Sequence, residues 1–172
     1  MQGLTYIKDF ITEKEENDLI EFINSMEWNN DLSRKTQHYG YKYNYNLKNS
    51  LEKAQPIPEQ FTFILNALNK KFNKMFDQLI VNHYEIGQGI SPHIDNIKLF
   101  DDTIVSISLG SNCVMKFTKK DTSHDVFLER CSMVVLQGDA RYKWKHSIPS
   151  RKSDNNIARG TRISLTFRKL TI

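Results

Sequence analysis

The chain has 172 residues, 39% hydrophobic and 11% aromatic, enough to bury one core and too apolar for a disorder-dominated protein. Its net charge of +4 is compatible with a polyanionic partner. No apolar run reaches the roughly 18 residues of a membrane span, and the opening MQGLTYIKDF has no secretory pattern. Cys113 and Cys131 lie far apart without CxxC spacing, which predicts reduced, buried thiols. These features lead us to expect a soluble, cytoplasmic, monomeric protein that forms a single domain over residues 1–172.

Leu4-Thr5-Tyr6-Ile7 predicts a short first strand. Thr12-Glu13-Lys14-Glu15 has the form of a capping box, and Leu19, Ile20, Phe22, Ile23 and Met26 recur at helical spacing behind it. Residues 29–57 are polar, aromatic and irregular. Tyr39, Tyr41, Tyr43 and Tyr45 alternate there among Arg34, Lys35 and Lys42. Such tyrosines can stack on bases beside phosphate-neutralising cations, or can equally fill one face of an ordinary strand. Pro58 is placed to open a second helix, with Phe61, Ile64, Leu65, Leu68, Phe72 and Met75 as its buried stripe.

From Leu79 the period changes to two, with Ile80, Asn82, Tyr84 and Ile86 on one face. Later strands are predicted at Thr103–Leu109, Cys113–Thr118, Asp125–Glu129, Met133–Leu136, Arg141–Ile148 and Thr161–Lys169. Gly110-Ser111-Asn112 reads as a hairpin joining the first two, and 119–124 and 149–160 as loops. Two helices followed by about eight short strands predict an α+β fold whose sheets close on themselves.

The chemistry concentrates in Gly89-Ile90-Ser91-Pro92-His93-Ile94-Asp95. In an extended segment His93 and Asp95 point to one face, so both can ligate one metal ion. Two histidines and a carboxylate on one side of an ion, with open positions opposite, suit non-haem Fe(II) and oxygen. His124 and His146 are the candidates for the third ligand. His124 sits in a polar stretch, whereas His146 follows a buried strand and the aromatics Tyr142 and Trp144, so His146 is favoured. In the last strand, period two puts Arg162, Ser164, Thr166 and Arg168 on one face and Ile163, Leu165 and Phe167 on the other. Such a face is either the solvated side of an edge strand or a site for separated carboxylates, each arginine binding one bidentately.

Together, Asn82-His83-Tyr84, His93-Ile94-Asp95, His146 and Arg162-x-Ser164-x-x-x-Arg168 resemble the AlkB family of Fe(II)/2-oxoglutarate dioxygenases, over nearly the whole chain. The resemblance implies a double-stranded β-helix, or jelly-roll, with the N-terminal helices packed outside. It implies His93, Asp95 and His146 as catalytic iron ligands, with Fe(II), 2-oxoglutarate and O2 as cofactor and cosubstrates. Arg162 and Tyr84 would hold the distal carboxylate of 2-oxoglutarate, while Arg168 and Asn82 orient the end that chelates iron. Ser164 stands where the family usually has Asn.

The family turns over 2-oxoglutarate and oxygen to succinate and carbon dioxide while hydroxylating a substrate C–H bond. On a carbon attached to a base nitrogen this gives demethylation; on a carbon-linked side chain the hydroxyl stays. Arg34, Tyr41, Tyr43 and Ile97 are the substrate-binding candidates. Ile97 replaces an acidic residue frequent in DNA-repair members, and Arg34 replaces a stacking aromatic. These departures, with Gly138-Asp139-Ala140-Arg141-Tyr142-x-Trp144, resemble the branch that hydroxylates wobble uridines in tRNA. The expected partner is therefore RNA, tRNA or single-stranded DNA, and a tRNA role would draw on partner proteins or on basic surface residues such as Lys35, Lys42, Lys119 and Lys120. A protein or small-molecule oxygenase on the same scaffold is the alternative, and a non-catalytic nucleic-acid-binding module is a third.

Overall fold

The computed structural model describes residues 1–44 and 50–171. In chain order the elements are β1 (Leu4–Ile7), α1 (Glu13–Ser25), β2 (Lys35–Tyr39), β3 (Tyr41–Asn44) and β4 (Ser50–Lys53). A 3-10 turn at Glu59–Phe61 runs into α2 (Thr62–Phe72), followed by β5 (Gln78–Tyr84), β6 (Ile90–His93), β7 (Ile104–Leu109) and β8 (Cys113–Lys119). Then come β9 (Thr122–Leu128), β10 (Met133–Leu136), α3 (Gly138–Tyr142) and β11 (Lys145–Ile148). Last are β12 (Ser153–Asp154), β13 (Ile157–Ala158) and β14 (Arg162–Arg168).

The major sheet has the order β1-β10-β7-β14-β5-β2, and the minor sheet β6-β11-β8-β9. From β5 onward the chain passes back and forth between the two, the connectivity of a jelly-roll. The expected α+β double-stranded β-helix is what is found.

Two apolar layers follow from the period-two alternation of the major sheet. One face packs Val81, Val105, Ile107, Leu165 and Phe167 against Leu19 and Ile23 of α1 and Ile64 and Leu68 of α2. The other turns Ile104, Val134 and Leu136 toward Cys113, Met115, Phe117 and Ile148 of the minor sheet. All four residues of β10 are buried, as its unbroken apolar run requires. Helix α1 starts on the expected box: Thr12 Oγ1 accepts from the Glu15 amide at 3.1 Å, and Glu15 Oε1 accepts from the Thr12 amide at 2.9 Å. Both cysteines are free and buried. Among the described residues, no helix is long and apolar enough to cross a membrane.

Several local expectations are corrected. Gly110-Ser111-Asn112 does not close a hairpin, because β7 lies in the major sheet and β8 in the minor one. The hairpin is β8–β9, turning at Lys120-Asp121, with Lys120 at φ 52. His124 is thus an exposed strand residue opposite Phe117 rather than part of a loop. Residues 138–142 form α3 before β11 begins, and 149–160 contains the β12–β13 hairpin. Arg159, held to both Asp154 oxygens at 2.6 and 3.1 Å, orders that segment.

The tyrosines do not share one face. Gly40, at φ 78 and packed so closely that a Cβ would lie 2.0 Å from the Asp77 carbonyl oxygen, divides β2 from β3. Tyr39 joins the helix-side core, while Tyr41 packs on the other; Tyr45 lies outside the described residues. Met75 is 67% exposed because α2 ends at Phe72, on a left-handed Asn73.

Candidate metal and cosubstrate site

The expected ligands come from two paired strands and the loop beyond them. His93 on β6 is the register partner of His146 on β11. Gly89 permits this approach, since a Cβ there would meet the Ile148 carbonyl oxygen at 2.0 Å. His93 Nδ1 donates to the Ser91 carbonyl at 2.8 Å, leaving Nε2 to face Asp95. Asp95 Oδ1 lies 3.4 Å from His93 Nε2 and 3.5 Å from His146 Nε2, and the three ligand atoms fall within 4.8 Å of one another. That spacing suits one first-row metal ion. His124 is not among them.

His146 and Asp95 are in the protonation states that metal binding needs, a neutral imidazole and an ionised carboxylate. Burial pushes His146 down to about 4. Burial alone would raise the Asp95 carboxyl, but Arg168 and the two histidines outweigh it and hold the group well below the usual carboxylate range. His38 on β2 is also lowered to about 4, chiefly by burial and then by Lys42 and Arg168.

An imidazole kept neutral in the fold takes up a proton on unfolding below about pH 6.5, so acid favours the unfolded chain. Asp95, whose contribution is lost only below its ordinary value of 3.8, does not oppose this. The melting temperature of the metal-free protein is therefore expected to fall as pH drops from about 6.5 toward 4. A His38→Gln variant should show a shallower fall; an identical profile would overturn the role of His38.

Strand β14 is not an edge strand. It lies between β7 and β5, with Arg162 opposite Tyr84 and Ser164 flanked by Asn82 and Ser108. Its polar face is therefore an interior one, and Arg162 is only 4% exposed. Arg162 Nη2 donates to Ser108 Oγ at 2.9 Å, its guanidinium stands 5.5 Å over the Tyr84 ring, and its buried Nε has no partner. Burial raises the Tyr84 phenol, which stays a donor at neutral pH. Arg168 Nε lies 3.0 Å from Asp95 Oδ2 as an ion pair without hydrogen-bond alignment, and its guanidinium stacks 4.5 Å from the Phe100 ring. A buried guanidinium and a largely enclosed one, each with a buried Nε that makes no hydrogen bond, beside a metal triad fit an organic dicarboxylate.

One cavity of about 600 Å³ has all these residues in its walls: the triad, Asn82, Tyr84, Arg162, Ser164 and Arg168. Arg34 and Tyr43 line it too. Arg34 Nε donates to Asn82 Oδ1 at 2.8 Å, and Gln88 holds the adjoining Ser33 carbonyl at 3.1 Å. Tyr41 and Ile97 lie outside this lining: Tyr41 packs toward the inter-sheet core and Ile97 is 58% exposed.

Sequence reasoning missed Ser108 and Phe100, and marked Arg141 only as part of the 138–144 motif, without a role in the site. Alternation in β7 could have shown Ser106 and Ser108 on the face opposite Val105 and Ile107, but nothing local marks Phe100.

Residues 21–168 match the 2OG-Fe(II) oxygenase superfamily model. Protein L905 of Acanthamoeba polyphaga mimivirus is 34% identical over 180 residues, covering 99% of this chain and 86% of the viral protein. The tRNA (carboxymethyluridine(34)-5-O)-methyltransferase alkbh8 of Xenopus tropicalis is also 34% identical, over 98% of this chain. The chain spans only 32% of the frog protein. The solved structure of OsALKBH1 superposes with a TM-score of 0.77 at 19% identity, covering 97% of this chain and 96% of that one.

The chain belongs to the AlkB family of 2OG-Fe(II) oxygenases. It is a 2-oxoglutarate-dependent dioxygenase, and its cofactor and cosubstrates are Fe(II), 2-oxoglutarate and O2.

Proposed function

We propose that this dioxygenase oxidises alkyl groups on nucleic-acid bases, with His93, Asp95 and His146 holding the iron. Bound iron supplies the redox chemistry that couples conversion of 2-oxoglutarate and O2 to succinate and CO2 with hydroxylation of a substrate C–H bond. The protein's residues bind, orient and exclude water around it. Arg162 and Tyr84 hold the distal carboxylate, with Ser108 fixing the guanidinium. Arg168 and Asn82 orient the other end, Ser164 lying beside Asn82 in register. His93 stays fixed by its Nδ1–H bond to Ser91, which leaves Nε2 free to ligate.

The observation that carries the substrate reading is that Arg34 and Tyr43 share one cavity with the metal triad. An aromatic and a guanidinium beside the reacting centre suit a base held by stacking next to its phosphate. The net charge of +4 supports a polyanionic substrate, as does the frog relative, which is named for acting on a tRNA uridine. Ile97, exposed in the loop beyond Asp95, would meet the substrate from outside the cavity wall, whereas Tyr41, the first residue of β3, packs toward the inter-sheet core and would support Tyr43 rather than touch the base.

The test incubates the protein with Fe(II), 2-oxoglutarate and separate pools of methylated DNA, methylated RNA and tRNA, reading succinate and nucleosides by mass spectrometry. Loss of a methyl group gives demethylation, and a gained oxygen that persists gives hydroxylation. Succinate without any nucleoside change moves the substrate to protein or small molecules.

Tyr43→Ala is expected to cut kcat/KM for the responsive oligonucleotide by roughly 5- to 150-fold. That range follows from base–aromatic stacking worth about 1–3 kcal/mol. Substrate-independent succinate formation should be unchanged. A Tyr43→Ala enzyme with normal oligonucleotide turnover would remove that residue from the substrate site.

A further inference from the structure

The geometry points to Arg141 as a positioning residue that fixes the metal carboxylate and, through Phe100, the arginine at the chelating end of the cosubstrate. This rests on the iron-site reading above.

Arg141 is 2% exposed and comes from α3, five residues before His146. Its guanidinium donates to four main-chain carbonyls of one short segment. Nη1 reaches Asp95 at 2.7 Å, Nη2 reaches Asn96 at 3.2 Å and Phe100 at 3.1 Å, and Nε reaches Asp101 at 3.0 Å. A buried guanidinium must satisfy its planar fork of donors. Carbonyls that meet the fork are held in one relative arrangement, so residues 95–101 cannot shift as separate parts.

The clamp reaches the cosubstrate end by a closed path. The Phe100 carbonyl is tied to Arg141, and the Phe100 ring carries the Arg168 guanidinium at 4.5 Å. Arg168 in turn lies 3.0 Å from the Asp95 carboxylate, whose own carbonyl is tied to Arg141. Asp95 and Arg168 are thus set from both backbone and side chain by one residue that lines neither the metal nor the cavity. From the outside, Thr171 secures the same segment, its Oγ1 donating to the Lys98 carbonyl at 2.6 Å and its amide to the Leu99 carbonyl at 3.0 Å.

Lysine keeps the charge but cannot make four planar contacts, so Arg141→Lys isolates the clamp. In the full-length chain, Mn(II) binding is measured by calorimetry, half-saturating 2-oxoglutarate from succinate formation, and stability from thermal melting. Arg141→Lys is expected to weaken Mn(II) binding by roughly 10- to 100-fold, the usual cost of losing a partner that orients ligands, and to raise the half-saturating 2-oxoglutarate concentration. The control is Glu16→Gln, at the buried carboxylate that bonds Arg130 and the Gly110 amide in the helix layer. It should lower the melting temperature and leave both ligand readouts unchanged.

Wild-type Mn(II) affinity and half-saturation in Arg141→Lys would overturn the inference, as would a Glu16→Gln protein that moved both in step with its melting temperature. Should Arg141→Lys not fold, Phe100→Leu tests the path independently, because it keeps the carbonyl and removes the ring. It should raise half-saturating 2-oxoglutarate with Mn(II) affinity intact, and no change would overturn the path. Failure of the wild-type chain to bind Mn(II) would instead refute the iron site itself.

Discussion

Asp95→Ala is expected to abolish oxygen-dependent succinate formation and also to leave a markedly less stable metal-free protein. The first effect follows from losing the one carboxylate of the triad, to which both histidine Nε2 atoms come within 3.5 Å. The second follows from Arg168, whose side chain is 15% exposed and whose guanidinium would lose its buried counter-charge. Removing one partner of a buried pair costs about 3 kcal/mol or more, because the remaining charge is left uncompensated. His93→Ala should remove the same activity with a smaller loss of stability, since the His93 side chain is 36% exposed and leaves no charge behind. Succinate assays and denaturant unfolding of the two variants read these effects separately. Retained turnover in either would sink the metal assignment. Equal stability losses would show that the Asp95–Arg168 pair does not stabilise the fold.

Arg162→Lys should raise the half-saturating 2-oxoglutarate concentration by roughly 10- to 150-fold, with kcat nearly preserved at saturation. Arg162 offers a planar fork, fixed by Ser108 and stacked over Tyr84, with Nε unpaired. A hydrogen bond to a charged group is worth about 1.5–3 kcal/mol, and lysine keeps the charge but loses the bidentate geometry. Under the proposed role of Arg162, the interaction is with the distal carboxylate, remote from the reacting carbon. Its loss therefore weakens binding more than turnover. A rise in half-saturation with unchanged maximal succinate formation is the expected signature. An unchanged half-saturation would move the distal carboxylate to another residue.

Much of this site was legible in the sequence because its residues obey local periodicities. His93 and Asp95 are two apart in an extended segment, and Arg162, Ser164, Thr166 and Arg168 fall on one side of a strand by the pleat alone. The capping box at Thr12 and the doubly buried run of β10 are legible for the same reason: a few neighbouring residues contain the whole physical cause. The tyrosine alternation failed because Gly40 breaks the strand. Its need for positive φ and a close approach to Asp77 arises from a segment far along the chain.

By itself, then, the sequence determined which residues could hold a metal and two carboxylates, and which face of each strand they share. Only the tertiary structure decided that β14 lies inside the major sheet, which converts a face that could have been solvated into a cavity wall. It also decided that β7 and β8 belong to different sheets, that His146 rather than His124 stands opposite His93, and that Arg141 grips the loop carrying Asp95. Strand pairing and burial join residues tens of positions apart. The period of a strand fixes where its side chains point, but only the packed neighbours fix what they meet.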